Sequence, residues 1–335
     1  VSLPKVFAWQ ADTSACGWYR CELPCAEYNR RGGNAEWSVD MPDWAPADAD
    51  VIIGQRVSIP DASAIWQALC RRGQQHMVLE LDDDLWNIHP TNTRASRVFT
   101  PALLANLEAN IAAADVVTVT TDVLAERVSQ WNRNVVVVPN RVPGWLLQHE
   151  RPRRDEFTIG WAGSPSHEID WEDAGPQVGR FLKRNPHVQV HVMGCSFRSI
   201  LSWDRTRVRL DRWLDSLPDY YRALDFDVAL APLTAHVFNR SKSDLRLLEM
   251  AALGIPVIAS DFGPYSDPTL HGERGFLVKA DHEWSTHLRT LAGDAELRTR
   301  MARNGREWAA ERTVEGNLGD WLTAWNVDIK EPITA

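Results

Sequence analysis

Short apolar runs alternate with amphipathic stretches along nearly the whole chain, and this rhythm constrains the fold more than any other feature. Residues 5–9 (Lys-Val-Phe-Ala-Trp), 35–39, 51–54, 77–81, 116–120 and 135–138 have the length and β-branched content of buried strands. Helical patterns separate them: one from about Trp18 to Arg31, stopped by Gly32-Gly33, then 61–72, 101–113 and 122–131. A second alternation begins at 157–163 and continues through strands at 188–193, 227–233, 257–259 and 275–278, with helices at 217–224, 283–291, 296–311 and 314–325. Strands that alternate with helices predict parallel sheets, so the expected class is α/β with two Rossmann-like parallel-sheet domains. A length of 335 residues agrees with two cores. Pro143 and the charged run 150–156 have the composition of an interdomain linker.

Composition narrows the function classes. The net charge of −9 argues against a constitutive high-affinity nucleic-acid binder, although Arg198, Arg205, Arg207, Arg209 and Arg212 offer either a local basic patch or an exposed strand. No apolar run reaches the ~20 residues of a membrane span, and the first nine residues lack the pattern of a signal peptide. Five cysteines, an odd number, read as reduced thiols, so a cytoplasmic protein is expected. Cys16, Cys21 and Cys25 lack the spacing of a zinc site and read as core or helix-face thiols. Of the sixteen tryptophans, Trp44, Trp131 and Trp203 are placed at the surface, where sugar rings can stack.

The stretch from Phe238 to Ser260 carries the sharpest chemistry. A polar loop, Asn239-Arg240-Ser241-Lys242-Ser243, precedes a helix with Leu245, Leu248 and Ala252 on one stripe and Gly254 as its stop; Pro256 then opens a strand. Ser241 is the expected N-cap, and the free N–H groups of the first turn together with Lys242 would form an anion site. Lys242 and Glu249 would then lie about two turns, or about 10 Å, apart on one face, which suits a diphosphate at one end and a ribose diol at the other. An ordinary capped helix with a stray lysine and glutamate is the plainer alternative. The strand at 227–233 ends just before this loop, so the loop lies at a strand's carboxyl end and a helix's amino end together. Gly163 and Ser164, after the strand at 157–163, would permit close approach of a phosphate or a base.

In the first half, Gly17 lies in the loop after the first strand, and Arg20 on the following helix would face an anion or serve only as a surface arginine. The dinucleotide fingerprint G-x-G-x-x-G is absent. Asp82, Asp83 and Asp84 follow the strand at 77–81, where they would bind a metal, act as a base, hydrogen-bond sugar hydroxyls, or simply cap a helix. His89 lies within reach in sequence and would share that site or be structural.

At these residues the chain resembles the GT-B glycosyltransferases, in particular the large retaining family four. The carriers are Val138-Pro139-Asn140-Arg141-Val142, Ile159-Gly160-Trp161-Ala162-Gly163-Ser164, residues 227–233, Lys242-Ser243, the run Leu248-Glu249-Met250-Ala251-Ala252-Leu253-Gly254-Ile255-Pro256-Val257-Ile258-Ala259, and Gly275-Phe276-Leu277-Val278. Cys16-Gly17-Trp18-Tyr19-Arg20 and Asp82-Asp83-Asp84-Leu85-Trp86 resemble a bacterial and phage subgroup. The resemblance implies two Rossmann-like domains facing a cleft: an acceptor-side domain over 1–142, with a C-terminal helix at about 314–335 packing back on it, and a nucleotide-sugar donor domain over 143–313. It implies a retaining, metal-independent transfer from a nucleotide-diphosphate sugar, with no cofactor, to a hydroxyl of a glycan, a protein or a hydroxymethylated DNA base. Glu249 would hold the ribose, and Lys242 and Ser243 the diphosphate. Ser241 stands where the family has a sugar-gripping glutamate, with Asn239 and Arg240 as substitutes. Lys242 and Arg20 would stabilise the leaving diphosphate, and Asp83 or Asp84 would orient the acceptor. A sugar-nucleotide epimerase and a non-catalytic nucleotide-sugar binding module are the alternatives.

Overall fold

The computed structural model describes residues 3–150, 152, 155–164, 167–195 and 197–328. Two compact units emerge: Val1–Pro143 with Ser241–Ser243 and Thr313–Ala335, and Gly144–Arg240 with Asp244–Arg312. Part of the charged run at 150–156, and Pro165 and Ser166 of the loop after Gly163, lie outside the described residues. No helix among the described residues is long and apolar enough to cross a membrane.

The first unit holds strands β1 (Lys5–Trp9), β2 (Asn34–Ser38), β3 (Val51–Gln55), β4 (His76–Leu81), β5 (Val116–Val119) and β6 (Val135–Val137). They form one parallel sheet in the order β2-β1-β3-β4-β5-β6, with Val6 opposite Val51 and Val78 opposite Val116. The chain leaves β1 toward β2 on one side and returns to β3 on the other. The carboxyl ends of β1 and β3 therefore flank the switch point, where open α/β sheets leave a crevice. Helices Pro60–Arg72 and Pro101–Ala113 bury Trp66, Leu69, Leu107 and Ile111 against the sheet. After β1 the helix is interrupted: Ala15–Gly17 is α-helical, Trp18–Glu22 is a π-helix and Leu23–Arg30 is α-helical. The helix Val314–Ala324 belongs to this unit and packs against Leu23–Arg30.

The second unit holds β7 (Thr158–Ala162), β8 (Gln189–Met193), β9 (Val208–Asp211), β10 (Val228–Ala231), β11 (Val257–Ser260) and β12 (Gly275–Val278). Its sheet, also parallel, runs β12-β11-β10-β7-β8-β9, so here the switch point lies between β7 and β10. The helix Trp171–Arg184 packs against Asp281–Gly293, and Leu245–Ala252 against Ala295–Ala310.

Aromatic rings fill this second core. Phe197 stacks on Trp171 at 4.8 Å and meets Trp161 edge-on at 4.4 Å. Trp203, expected at the surface, is buried in the same cluster. Trp44 meets Phe7 edge-on at 5.6 Å, and Trp131 stacks on Trp86 at 4.6 Å; both rings are half-buried. These rings thus serve packing, whereas Trp145 is 41% exposed. All five cysteines are free, and burial pushes the Cys16, Cys21 and Cys25 thiols up, away from the thiolate that a metal would need.

Candidate functional site

The loop after β10 runs to the helix Leu245–Ala252, and its residues Ser241–Ser243 group with the first unit. Asp170 organises this loop. One carboxylate oxygen accepts from the Thr234 backbone N–H at 2.8 Å and from the Asn239 amide at 3.0 Å; the other meets His167 Nδ1 at 2.7 Å. Asn239 also donates to the Thr234 carbonyl at 3.0 Å and is buried. Its amide therefore shapes the loop, which corrects its expected contact with the donor. Arg240 is exposed beside the Phe262 ring, 5.7 Å away, and stays available to a ligand.

The helix begins later than the sequence suggests. Its N-cap is Asp244, not Ser241, and the Asp244 carboxylate makes no capping bond. It is engaged instead by Arg312 through two hydrogen bonds of 2.5 and 2.9 Å. Residues 241–243 are held in non-helical form by their own contacts: Thr121 donates to the Ser241 carbonyl at 2.8 Å, and Asn140 donates to Ser243 Oγ at 2.8 Å. Ser241 is 1% exposed, so it is withdrawn from ligand contact, and Lys242 does not share a helical face with Glu249. Glu249 is on the helix, half-buried, and accepts from the Tyr221 hydroxyl at 2.8 Å.

One residue at this end of the sheet escaped the sequence reading. Arg246, in the first helical turn, donates to the Ala162 carbonyl at 2.7 Å and lies 5.0 Å from the Trp161 ring centre. Gly163 is what admits it: a Cβ there would stand 2.7 Å from both the Arg246 guanidinium and the Trp161 ring. Gly163 thus serves packing as well as leaving the strand end open, and Ser164 beside it is exposed. An arginine three places before the glutamate was the available signal, but it reads equally as a surface helix residue.

The first unit gathers charge at the carboxyl ends of β1, β3 and β4. Arg56 pairs with Asp12 and lies 3.7 Å from Asp82. Lys242 donates to Asp83 at 3.3 Å, with both side chains partly exposed. Arg56 takes φ 50°, a left-handed conformation costly for a side chain with a Cβ, and its N–H bonds the Glu80 carbonyl at 3.0 Å. Burial opposes the Arg56 charge, but Asp82, Asp12 and Asp83 outweigh it and raise the pKa. Burial likewise lifts Asp83 above the usual carboxylate range; Asp82 adds to this, while Lys242 and Arg56 oppose it. Asp12 stays low despite burial because Arg56, Ser14 and the Gly17 N–H stabilise its anion. Gly17 belongs to this cluster as backbone: a Cβ there would come within 1.9 Å of the Asp12 carbonyl.

Two predicted catalytic residues are placed elsewhere. Arg20 is 1% exposed, directed inward from the π-helical turn. It bonds Glu80 at 2.7 and 3.1 Å, the Val138 carbonyl at 2.8 Å and Asn140 at 3.1 Å. Its charge is compensated inside the fold, which corrects the expectation that it faces an anion. Asp84, 4% exposed, accepts from the Trp86 N–H at 3.3 Å and from Asn87 at 2.7 Å, so both its oxygens fasten the turn after β4, against the expectation that they face an acceptor. His89 bonds Thr91 at 2.7 Å. Among the described residues no three His, Cys, Asp or Glu side chains gather closely enough to hold a metal ion. Of the arginines at 198–212, Arg207 meets Asp204 and Arg209 meets Asp211 and Asp225, while Arg198, which lies 3.5 Å from Glu168, Arg205 and Arg212 are exposed.

Residues 177–322 match a family described as glycosyl transferase-like, a span that contains the whole run from β10 to β12. Among solved structures, HepE from Anabaena in complex with UDP-glucose superposes with a TM-score of 0.67 at 14% identity, covering 96% of this chain and 100% of that one. The fold is that of the GT-B glycosyltransferases. TarM from S. aureus gives 0.57 at 17% identity over 82% of this chain, which spans only 54% of TarM. Sucrose-phosphate synthase from Thermosynechococcus elongatus gives 0.57 at 16% identity, covering 84% and 75% of the two chains. No curated protein sequence matches the chain.

Proposed function

We propose that this protein is a glycosyltransferase that moves a sugar from a nucleoside-diphosphate sugar to an acceptor hydroxyl. The observation that carries the reading is the family match over the strand–loop–helix–strand run from β10 to β11, which contains Arg240, Lys242, Arg246 and Glu249. The UDP-glucose bound by HepE makes a uridine donor the first to test.

In this reading Glu249, positioned by Tyr221, accepts hydrogen bonds from the ribose diol. Lys242 leaves Asp83 for the diphosphate, exchanging one anion for another, and Arg240 adds positive charge. Their combined effect grows as the bond from the anomeric carbon to the diphosphate oxygen breaks and charge gathers on that oxygen. The acceptor oxygen bonds the anomeric carbon on the leaving-group face, its proton passes to the departing diphosphate, and configuration is retained. Asp83, freed from Lys242, orients the acceptor hydroxyl. No metal is assigned a step.

A thermal-shift panel of uridine, guanosine, adenosine and thymidine diphosphate sugars tests the reading. A rise in melting temperature with one nucleotide, lost in Glu249→Gln, is expected; no shift with any donor would overturn it. Incubation with the stabilising donor alone separates transfer from epimerisation, because only an epimerase converts the sugar without an acceptor.

A further inference from the structure

The first unit contains a cavity of about 300 Å³ at the carboxyl ends of β1 and β3, beside the switch point of its sheet. Apolar residues, Trp9, Val57, Ile59, Val98 and Phe99 among them, form most of its wall. Ile59 is 59% exposed and Val98 52% exposed, so apolar surface flanks the mouth. Gln10, Gln55, Arg56 and Ser58 interrupt this lining. Gln55 is 2% exposed; its Oε1 accepts from the Ala11 N–H at 3.0 Å, while its Nε2 is buried without a hydrogen-bond partner. The Arg56 Nε is also buried without a hydrogen bond, and Asp82 lies 3.7 Å from it. A buried donor without an acceptor is unfavourable and uncommon in folded proteins, so the Gln55 amide, on a residue that lines the cavity, favours a ligand that brings an oxygen. Arg56 also pairs with Asp12 and Asp82, so one residue belongs both to the cavity wall and to the carboxylate cluster. Its left-handed backbone is a cost retained at this point of the fold.

We infer that this cavity is the acceptor's aglycone pocket, and that the acceptor is a small glycoside carrying a compact aryl or short alkyl group. This rests on the transferase reading above. The apolar group fills the space between Trp9, Ile59 and Phe99. The glycosidic oxygen accepts from Gln55, and the hydroxyl-bearing ring lies on the Arg56 side, toward the carboxylates. A volume at the small end of ligand cavities suits one ring or a short chain. The apolar wall gives a phosphate-rich polymer little to bind.

The test compares p-nitrophenyl, hexyl and methyl glucosides, both as acceptors and as ligands in calorimetry with the full chain in the absence of donor. The aryl and hexyl glucosides are expected to bind at least tenfold more tightly than methyl glucoside, with a correspondingly lower KM. Ile59→Glu and Val98→Glu, at exposed positions, are expected to remove that preference, with an unchanged melting temperature as the folding control. Equal affinity of the three glucosides would overturn the pocket assignment and leave the transferase reading intact. A preference that survives both substitutions would also overturn it. Tight aryl binding that Ile59→Glu abolishes, in a protein inert toward every donor, would uphold the pocket and overturn the transferase reading.

Discussion

The two sheets finish their strands in opposite ways. In the first unit the carboxyl ends carry charges that neutralise one another: Arg56 with Asp12 and Asp82, Lys242 with Asp83, and, deeper, Arg20 with Glu80. In the second unit Lys279 pairs with Asp261 beyond the ends of β12 and β11, but the loop after β10 is ordered through its backbone, with Asp170 tying Thr234 and Asn239, while Arg240 and Ser164 remain exposed. Pairs of the same chemical kind therefore do different work according to depth. The Arg20–Glu80 pair is fully enclosed and cannot be exchanged for a ligand without unfolding its surroundings. The Lys242–Asp83 pair is partly open to water, and the transferase proposed above requires a phosphate to replace the carboxylate there.

Substitutions can break this contrast. The largest stability effect is expected from Arg20→Ala, which strands Glu80 and the Val138 carbonyl; a loss of about 3–5 kcal/mol is expected from denaturant unfolding. If Arg20→Ala instead folded normally and lost only activity, the inward arginine would be functional after all. Lys242→Ala should leave unfolding little changed and reduce kcat by about 10²–10³-fold, the size of one lost charge-stabilising donor. Glu249→Gln should weaken nucleotide binding by about 1.5–3 kcal/mol in calorimetry, since it loses charged hydrogen bonds to the ribose.

Asp83 offers a pH test. Its pKa is raised, so the carboxylate protonates at a higher pH than an ordinary aspartate. As pH falls through that value the wild type should lose kcat, because a protonated Asp83 no longer accepts from the acceptor. Asp83→Asn should show low activity without this acid limb. The sign for stability is the reverse of the usual aspartate: an acid with a raised folded pKa stabilises below its unfolded pKa, and this contribution is lost as pH rises through the folded value. Asp83→Asn should thus be at least as stable as the wild type at neutral pH. The smallest effect is expected from Asp84→Ala, about 0.5–1.5 kcal/mol of local turn stability with turnover nearly unchanged.

Both sheets were legible in the sequence because buried parallel strands are continuous apolar runs, and 51–54 and 257–259 could hardly be anything else. The loop–helix junction was not. Ser241 followed by Asp244 has the look of an N-cap, yet residues 241–243 are pinned by Thr121 and Asn140, partners more than a hundred positions away in sequence. Long-range hydrogen bonds of this kind leave no periodicity to read. Asp82, Asp83 and Asp84 make the same point on a smaller scale: consecutive carboxylates after a strand point in different directions, so one meets Arg56, one Lys242 and one its own turn. Arg20 and Arg246 were interchangeable on paper. A π-helical turn sends the first inward, and a glycine across the strand end makes room for the second.

Lys242 is proposed to serve the donor diphosphate, whereas Arg20 serves the fold. UDP release from UDP-glucose in the presence of p-nitrophenyl glucoside, or of whichever donor the thermal-shift panel identifies, tests it most directly when wild type and Lys242→Ala are compared at equal folded concentration. Steady release by the wild type, and a loss of at least a hundredfold in Lys242→Ala with the melting temperature preserved, are expected. Equal release by both proteins would contradict the proposed role of Lys242.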